Sequence, residues 1–166
     1  DPASDLSIDQ SIDFGSTAAA FSGGKGEYTE ALDVAQGKLC MGFVTDITLR
    51  HPDFAAMQVF NVIFGAGMTS KLFVQLREKQ GLCYAIGSSY YAGKGLFTVN
   101  AGIDSARVEE TKTAVLAQLR ACQAGDITQQ ELENAKAAVL SSLRAVYDGP
   151  GAMESFFSTM ALSGLD

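Results

Sequence analysis

Histidine is almost missing from this sequence: His51 is the only one among 166 residues. A zinc hydrolase needs two imidazoles, or an imidazole with carboxylates at helical spacing, and the H-E-x-x-H signature is absent in either direction. A Ser-His-Asp or Cys-His device would have to recruit the same His51, and no G-x-S-x-G turn is present to expose a nucleophile. No metal site is therefore expected in this chain, and His51 reads as a residue at a helix start beside Pro52. Positive charge is also scarce. Twelve Lys and Arg against nineteen Asp and Glu leave a net charge of −7, which argues against a partner that presents a nucleic-acid backbone. Cys40, Cys83 and Cys122 are odd in number and widely spaced, so they offer neither a disulfide framework nor a zinc knuckle, and a reducing, cytoplasmic setting is expected. Missing too are an uninterrupted apolar run of about eighteen residues able to cross a bilayer and a basic leader at the amino end, so membrane insertion is not expected.

What the sequence has is apolar content, at 47% of residues, and a length suited to one substantial core. Because it opens at Asp1 without a methionine, it is expected to be a fragment of a longer chain. Residues 1–26 are rich in Asp, Ser and Gly, anchored only by Leu6, Ile8, Ile12 and Phe14, and are expected to be linker or partly ordered. Residues 27–166 are expected to form a single domain. From Lys38 to about Ile47, Leu39, Met41 and Phe43 face one way and Cys40 and Val44 the other, which predicts a strand apolar on both faces and central in its sheet. His51-Pro52-Asp53 opens a helix with Pro at its first position, carrying Met57, Phe60 and Phe64 at helical spacing. After Gly65-Ala66-Gly67, Thr69 or Ser70 caps a second helix that stops at Gly81. Strands over Leu82–Ala92 and Leu96–Asp104 form a hairpin across Gly93-Lys94-Gly95. A helix after Asp104 carries Val108, Val115, Leu119 and Cys122 inward. Thr128-Gln129-Gln130-Glu131 is a capping box that opens a longer helix with Leu132, Val139, Leu143 and Val146 on one face, ended by Asp148-Gly149-Pro150. A last short helix is expected over Ala152–Ser163. This order predicts an α+β fold, a mostly antiparallel sheet with helices packed on one face.

Two stretches invite a functional reading. Gly65-Ala66-Gly67-Met68-Thr69-Ser70-Lys71 is glycine-rich and leads into a helix, but it lacks the second Gly before its Lys and does not follow a strand, so a tight interhelical turn is expected there. In Ser70-Lys71-Leu72-Phe73-Val74-Gln75-Leu76-Arg77-Glu78-Lys79-Gln80-Gly81-Leu82-Cys83-Tyr84, a reversal at Gly81 brings Arg77 and Tyr84 to one sheet end. There the guanidinium fork and the phenol can both donate to a peptide carbonyl. Spacing equally allows Arg77 to pair with carboxylates or helix-end carbonyls while Tyr84 packs in the core.

The ordered set Gln36-Gly37-Lys38-Leu39, Met41-Gly42-Phe43, Phe60-Asn61-Val62-Ile63-Phe64-Gly65, Ser70-Lys71-Leu72-Phe73, Leu76-Arg77-Glu78-Lys79 and Gly81-Leu82-Cys83-Tyr84 resembles the carboxy-terminal, non-zinc domain of M16 metallopeptidases, the pitrilysin, insulinase and mitochondrial-processing-peptidase family. The wording most resembles bacterial paralogues that lack the zinc motif. The resemblance implies a LuxS/MPP-like metallohydrolase fold and a homologous M16 domain, in the same chain or in a partner subunit, that holds zinc and clamps an unfolded peptide substrate together with this one. Arg77 and Tyr84 match the family's substrate-contacting Arg and Tyr, which implies hydrogen bonds to the peptide carbonyl and to the oxyanion formed there. A purely structural or interaction scaffold of an inactive paralogue is the alternative. An independent metal-free enzyme using Arg77, Tyr84 and a carboxylate is a third.

Overall fold

The computed structural model describes residues 37–165, so the expected linker over residues 1–26 lies outside the described residues. Among the described residues the sheet has three antiparallel strands: β1, Gly37–Val44; β2, Cys83–Tyr91; and β3, Leu96–Ile103. Their order is β1-β3-β2, with Gly37 opposite Ile103 and Val44 opposite Leu96. The expectation that β1 is central is corrected by this order. Among the described residues β1 is an edge strand and β3 lies between the other two. Leu39, Met41 and Phe43 pack on the core, whereas Cys40 and Val44 are exposed, so the apolar residues on the second face of β1 do not mark a second buried layer.

Phe97, Val99, Ala101 and Ile103 point from β3 to a single face, and the helices cover that face. Helix α1, Phe54–Phe64, contributes Met57 and Phe64, and α2, Val108–Gln123, contributes Val115 and Cys122. Phe60, Phe64 and Phe97 meet with ring centroids 5.3, 5.7 and 5.8 Å apart, which fixes α1 against β3. Burying side chains such as Phe64, Leu72, Leu76 and Ile103 stabilises the fold by roughly 1.5–3 kcal/mol each before conformational entropy is counted.

Local chemistry sets the helix ends. Pro52 lies in a turn ahead of α1, which begins at Phe54, rather than at the first helical position. The helix capped by Ser70 begins normally and then widens into a π-helical segment, Phe73–Lys79, a form that recurs at functional positions. Gln80 N–H bonds the Gln75 carbonyl at 3.2 Å, and Gly81 then takes the left-handed φ of 57° that the stop requires. Asp104 accepts from Ala106 N–H at 2.9 Å and starts the short 3₁₀ turn Ser105–Arg107 ahead of α2. The capping box forms as expected at the start of α3, Gln129–Ala145. Leu132, Val139 and Val146 face the protein, but Leu143 is exposed and does not share that face. Helix α4 begins at Pro150, two residues before the expected Ala152, and runs to Leu162.

One carboxylate does two jobs. Glu131 Oε2 accepts from Thr128 N–H at 2.7 Å to close the capping box, while Oε1 meets the Lys71 ammonium at 3.0 Å. Lys71 is only 7% exposed and also lies 3.7 Å from Asp126, so the pair ties the start of the π-helical segment to the turn between α2 and α3. Burial would push the Glu131 carboxyl up, but the Thr128 N–H, the Lys71 ammonium and the Thr128 hydroxyl outweigh it and hold it below the ordinary value. A carboxyl held low stabilises the folded state fully above its ordinary value near 4.5 and loses that contribution as pH falls through the lower native value. Urea midpoints of wild type and Glu131→Gln, measured from pH 7 down to pH 3, are expected to differ most at neutral pH and to converge in acid.

Candidate functional site

Arg77 sits in the π-helical segment and Tyr84 on β2, and the turn between them is fixed from both sides. Leu82 N–H reaches back to the Leu76 carbonyl at 2.9 Å, and Arg107 Nη1 donates to the Gly81 carbonyl at 2.7 Å. Glu110 holds that second guanidinium in a fork, with Nε–Oε2 at 3.0 Å and Nη2–Oε1 at 3.2 Å. The Arg107 contact drives the Glu110 carboxyl below its ordinary value.

The first residues of β2 break the ladder. Cys83 lies opposite Ile103 and Ala85 opposite Gly102, so two steps on β2 answer one on β3 and Tyr84 is the extra residue of a β-bulge. Arg77 Nε donates to the Tyr84 carbonyl at 3.0 Å, and the guanidinium carbon stacks 4.5 Å from the centre of the Phe73 ring. Arg77 Nη1 makes a long contact of 3.5 Å with Glu78, and Nη2 has no partner among the described residues. Tyr84 is 47% exposed and lies outside the core, so the alternative in which it packs inside does not hold. Its hydroxyl donates to the Ile103 carbonyl at 2.5 Å. The structure thus brings the two side chains together at the sheet end, with unengaged donors only on the guanidinium. Arg77 is 39% exposed, so those donors are open to solvent.

The remaining candidates resolve differently. Lys71 of the glycine-rich loop turns inward to Glu131 and Asp126 and is not presented to an anion. His51 Nδ1 accepts from Asp53 N–H at 3.1 Å, a contact that belongs to the turn before α1. Among the described residues no three His, Cys, Asp or Glu side chains come close enough to hold a metal ion, so these residues do not fit a zinc site. Burial raises the thiols of Cys83 and Cys122, only partly opposed at Cys83 by Arg77 and Arg107 and at Cys122 by Lys71, so neither offers a thiolate at neutral pH.

Residues 13–139 match the family model described as the Peptidase M16 inactive domain. The Bacillus subtilis protein named "Probable inactive metalloprotease YmfF" is 39% identical over 106 residues, covering 64% of this chain and 25% of that protein. An uncharacterized zinc protease of Rickettsia bellii is 33% identical over 103 residues, 61% of this chain and 25% of that protein. Among solved structures, a conserved protein of Enterococcus faecalis superposes with a TM-score of 0.74 at 33% identity, over 78% of this chain and 30% of that one. The peptidase M16 inactive domain from Pseudomonas fluorescens gives a TM-score of 0.70 at 26% identity, over 79% of this chain and 32% of that one. The chain thus spans about a quarter of the length of the curated relatives it matches.

Arg77 carries a hydrogen bond to the bulge and a stack on Phe73, each of modest worth at a half-exposed position. Arg77→Ala is expected to lower unfolding free energy by about 1–2 kcal/mol in urea titrations. Arg77→Lys, which keeps the charge but has neither Nε nor a planar fork, is expected to recover less than half of that loss.

Proposed function

The chain belongs to the peptidase M16 family, as its inactive domain, and from that membership we propose that it contacts peptide substrate for a homologous M16 domain in the same chain or in a partner subunit. The observation that carries the reading is the joint placement of Arg77 and Tyr84 at one sheet end, with the Nη groups of Arg77 and the ring of Tyr84 facing solvent. In this reading Arg77 donates to a carbonyl of an extended peptide and the ring of Tyr84 supplies an apolar platform beside it. In this reading the zinc centre belongs to the other domain. We place the assembly in a bacterial cytoplasm; the three free cysteines favour a reducing compartment.

A scaffold role is the second reading, and one observation favours it. Arg77 Nε and the Tyr84 hydroxyl both bond within the domain, to the Tyr84 and Ile103 carbonyls, so both residues also serve the fold.

The two readings separate in a cleavage assay on fluorescein-labelled casein. The full-length parent protein is tested alone and mixed with a zinc-bearing M16 homologue, as wild type and as Arg77→Ala. Substrate contact predicts cleavage by the parent alone where its own chain holds the zinc domain, or in the mixture where a partner subunit does, and in either case a loss of about tenfold or more in the variant, the scale of losing a hydrogen bond to the reacting carbonyl. An unchanged rate in a variant that still assembles with the homologue would establish the scaffold reading instead.

A further inference from the structure

β-strand interiors disfavour glycine, which gives up chain entropy and packs nothing. Gly102 nevertheless sits inside β3, and its backbone does not require glycine, because it is not among the glycines with positive φ. Its neighbours Ala101 and Ile103 are buried against the helices, so a side chain at 102 would point from the opposite face of the sheet. A Cβ placed there would meet Tyr84 Cε2 at 2.9 Å and Cδ2 at 3.0 Å, with Ala85 Cβ next at 3.8 Å. The space that glycine leaves open is filled by the ring of Tyr84. The bulge is what delivers the ring to this spot, because it turns Tyr84 and Ala85 outward in succession while Cys83 and Ile86 stay with the core. From there the hydroxyl reaches the carbonyl of Ile103, the residue beside Gly102.

We infer that Gly102 is a positioning residue, a seat that receives the Cδ2–Cε2 edge of the Tyr84 ring, on the sheet face that no helix among the described residues covers, and sets the ring in the orientation that contacts peptide. The inference rests on the substrate-contact reading above and adds the residue that sets the geometry of its aromatic member. Nothing rigid blocks the position, since the obstructing atoms belong to a half-exposed side chain that can swing away. Gly102→Ala is therefore expected to fold and to displace the ring, not to unfold the sheet.

The test is a double-mutant cycle in the full-length parent protein, read by fluorescence anisotropy with fluorescein-labelled casein and by the NMR signals of the Tyr84 ring. Tyr84→Ala and Gly102→Ala are each expected to weaken casein binding by a similar factor, about tenfold, and the double variant to bind no more weakly than Tyr84→Ala alone. Gly102→Ala is also expected to shift the Tyr84 ring resonances. If Tyr84→Ala binds weakly while Gly102→Ala binds like wild type with unshifted ring signals, the seat is refuted and the contact reading stands. Wild-type affinity in Tyr84→Ala overturns the contact reading and the inference with it. Should Gly102→Ala fail to fold, the double variant decides: recovery of the fold once the ring is gone supports the seat, and continued failure places the obstruction elsewhere.

Discussion

The extra residue at Tyr84 is the constraint on which this sheet depends. Side chains alternate along a strand, so a one-residue change of phase exchanges the faces of everything after it. Without the bulge, an alternation that starts with Cys83 in the core would send Ile86 and Tyr90 outward. With it, Cys83, Ile86 and Tyr90 all belong to the core side, and the Tyr90 hydroxyl reaches the Ile47 carbonyl at 2.6 Å. The same phase change leaves Tyr84 and Ala85 both exposed. Core packing and an exposed aromatic at the sheet end are thus two results of one insertion, and Arg77 steadies it by donating to the carbonyl of the inserted residue.

Arg77 is itself held from both ends of its segment. Upstream, Lys71 is anchored on Glu131, which also caps α3, so the helix is tied to a neighbour before it widens. Downstream, the left-handed Gly81 turns the chain and Arg107 secures the Gly81 carbonyl while Glu110 holds Arg107. Arg77 therefore stands at a junction of three elements rather than on a loose loop, which suits the peptide contact proposed for it, because little ordering would be left for binding to supply.

Much of this was legible from residue pattern. The capping box at Thr128, the stop at Gly81, the hairpin across Gly93 to Gly95 and the inward stripe of α2 follow from local rules that tertiary packing did not overturn. The edge position of β1 was not legible, because apolar residues on both faces look like those of a central strand in one dimension, whereas Cys40 and Val44 are exposed and strand order puts β1 at an edge among the described residues. The ion pairs of Lys71 leave no local signal, since its partners Asp126 and Glu131 lie more than fifty residues away in sequence. The i, i+3 spacing of Arg107 and Glu110 is the sequence signal for the fork that secures the Gly81 carbonyl. The proximity of Arg77 and Tyr84 was foreseen from the reversal at Gly81; the bulge was not, because an inserted residue leaves no mark in the sequence until its pairing partners are known. Gly102 inside an apolar strand was the available hint that something approaches closely there.

The architecture thus separates two surfaces. Among the described residues one face of the sheet is sealed by helices, and the other carries Tyr84 above Gly102 with Arg77 alongside, in a chain that spans about a quarter of the length of the curated relatives it matches. The most direct measurement is site-specific photocrosslinking from the full-length parent protein to fluorescein-labelled casein, with benzoylphenylalanine replacing Ala85 on the open face or Leu143 on the exposed side of α3. The account predicts adducts from position 85 that are lost on Arg77→Ala and none from position 143. Equal capture at both positions, or none at 85, would contradict it.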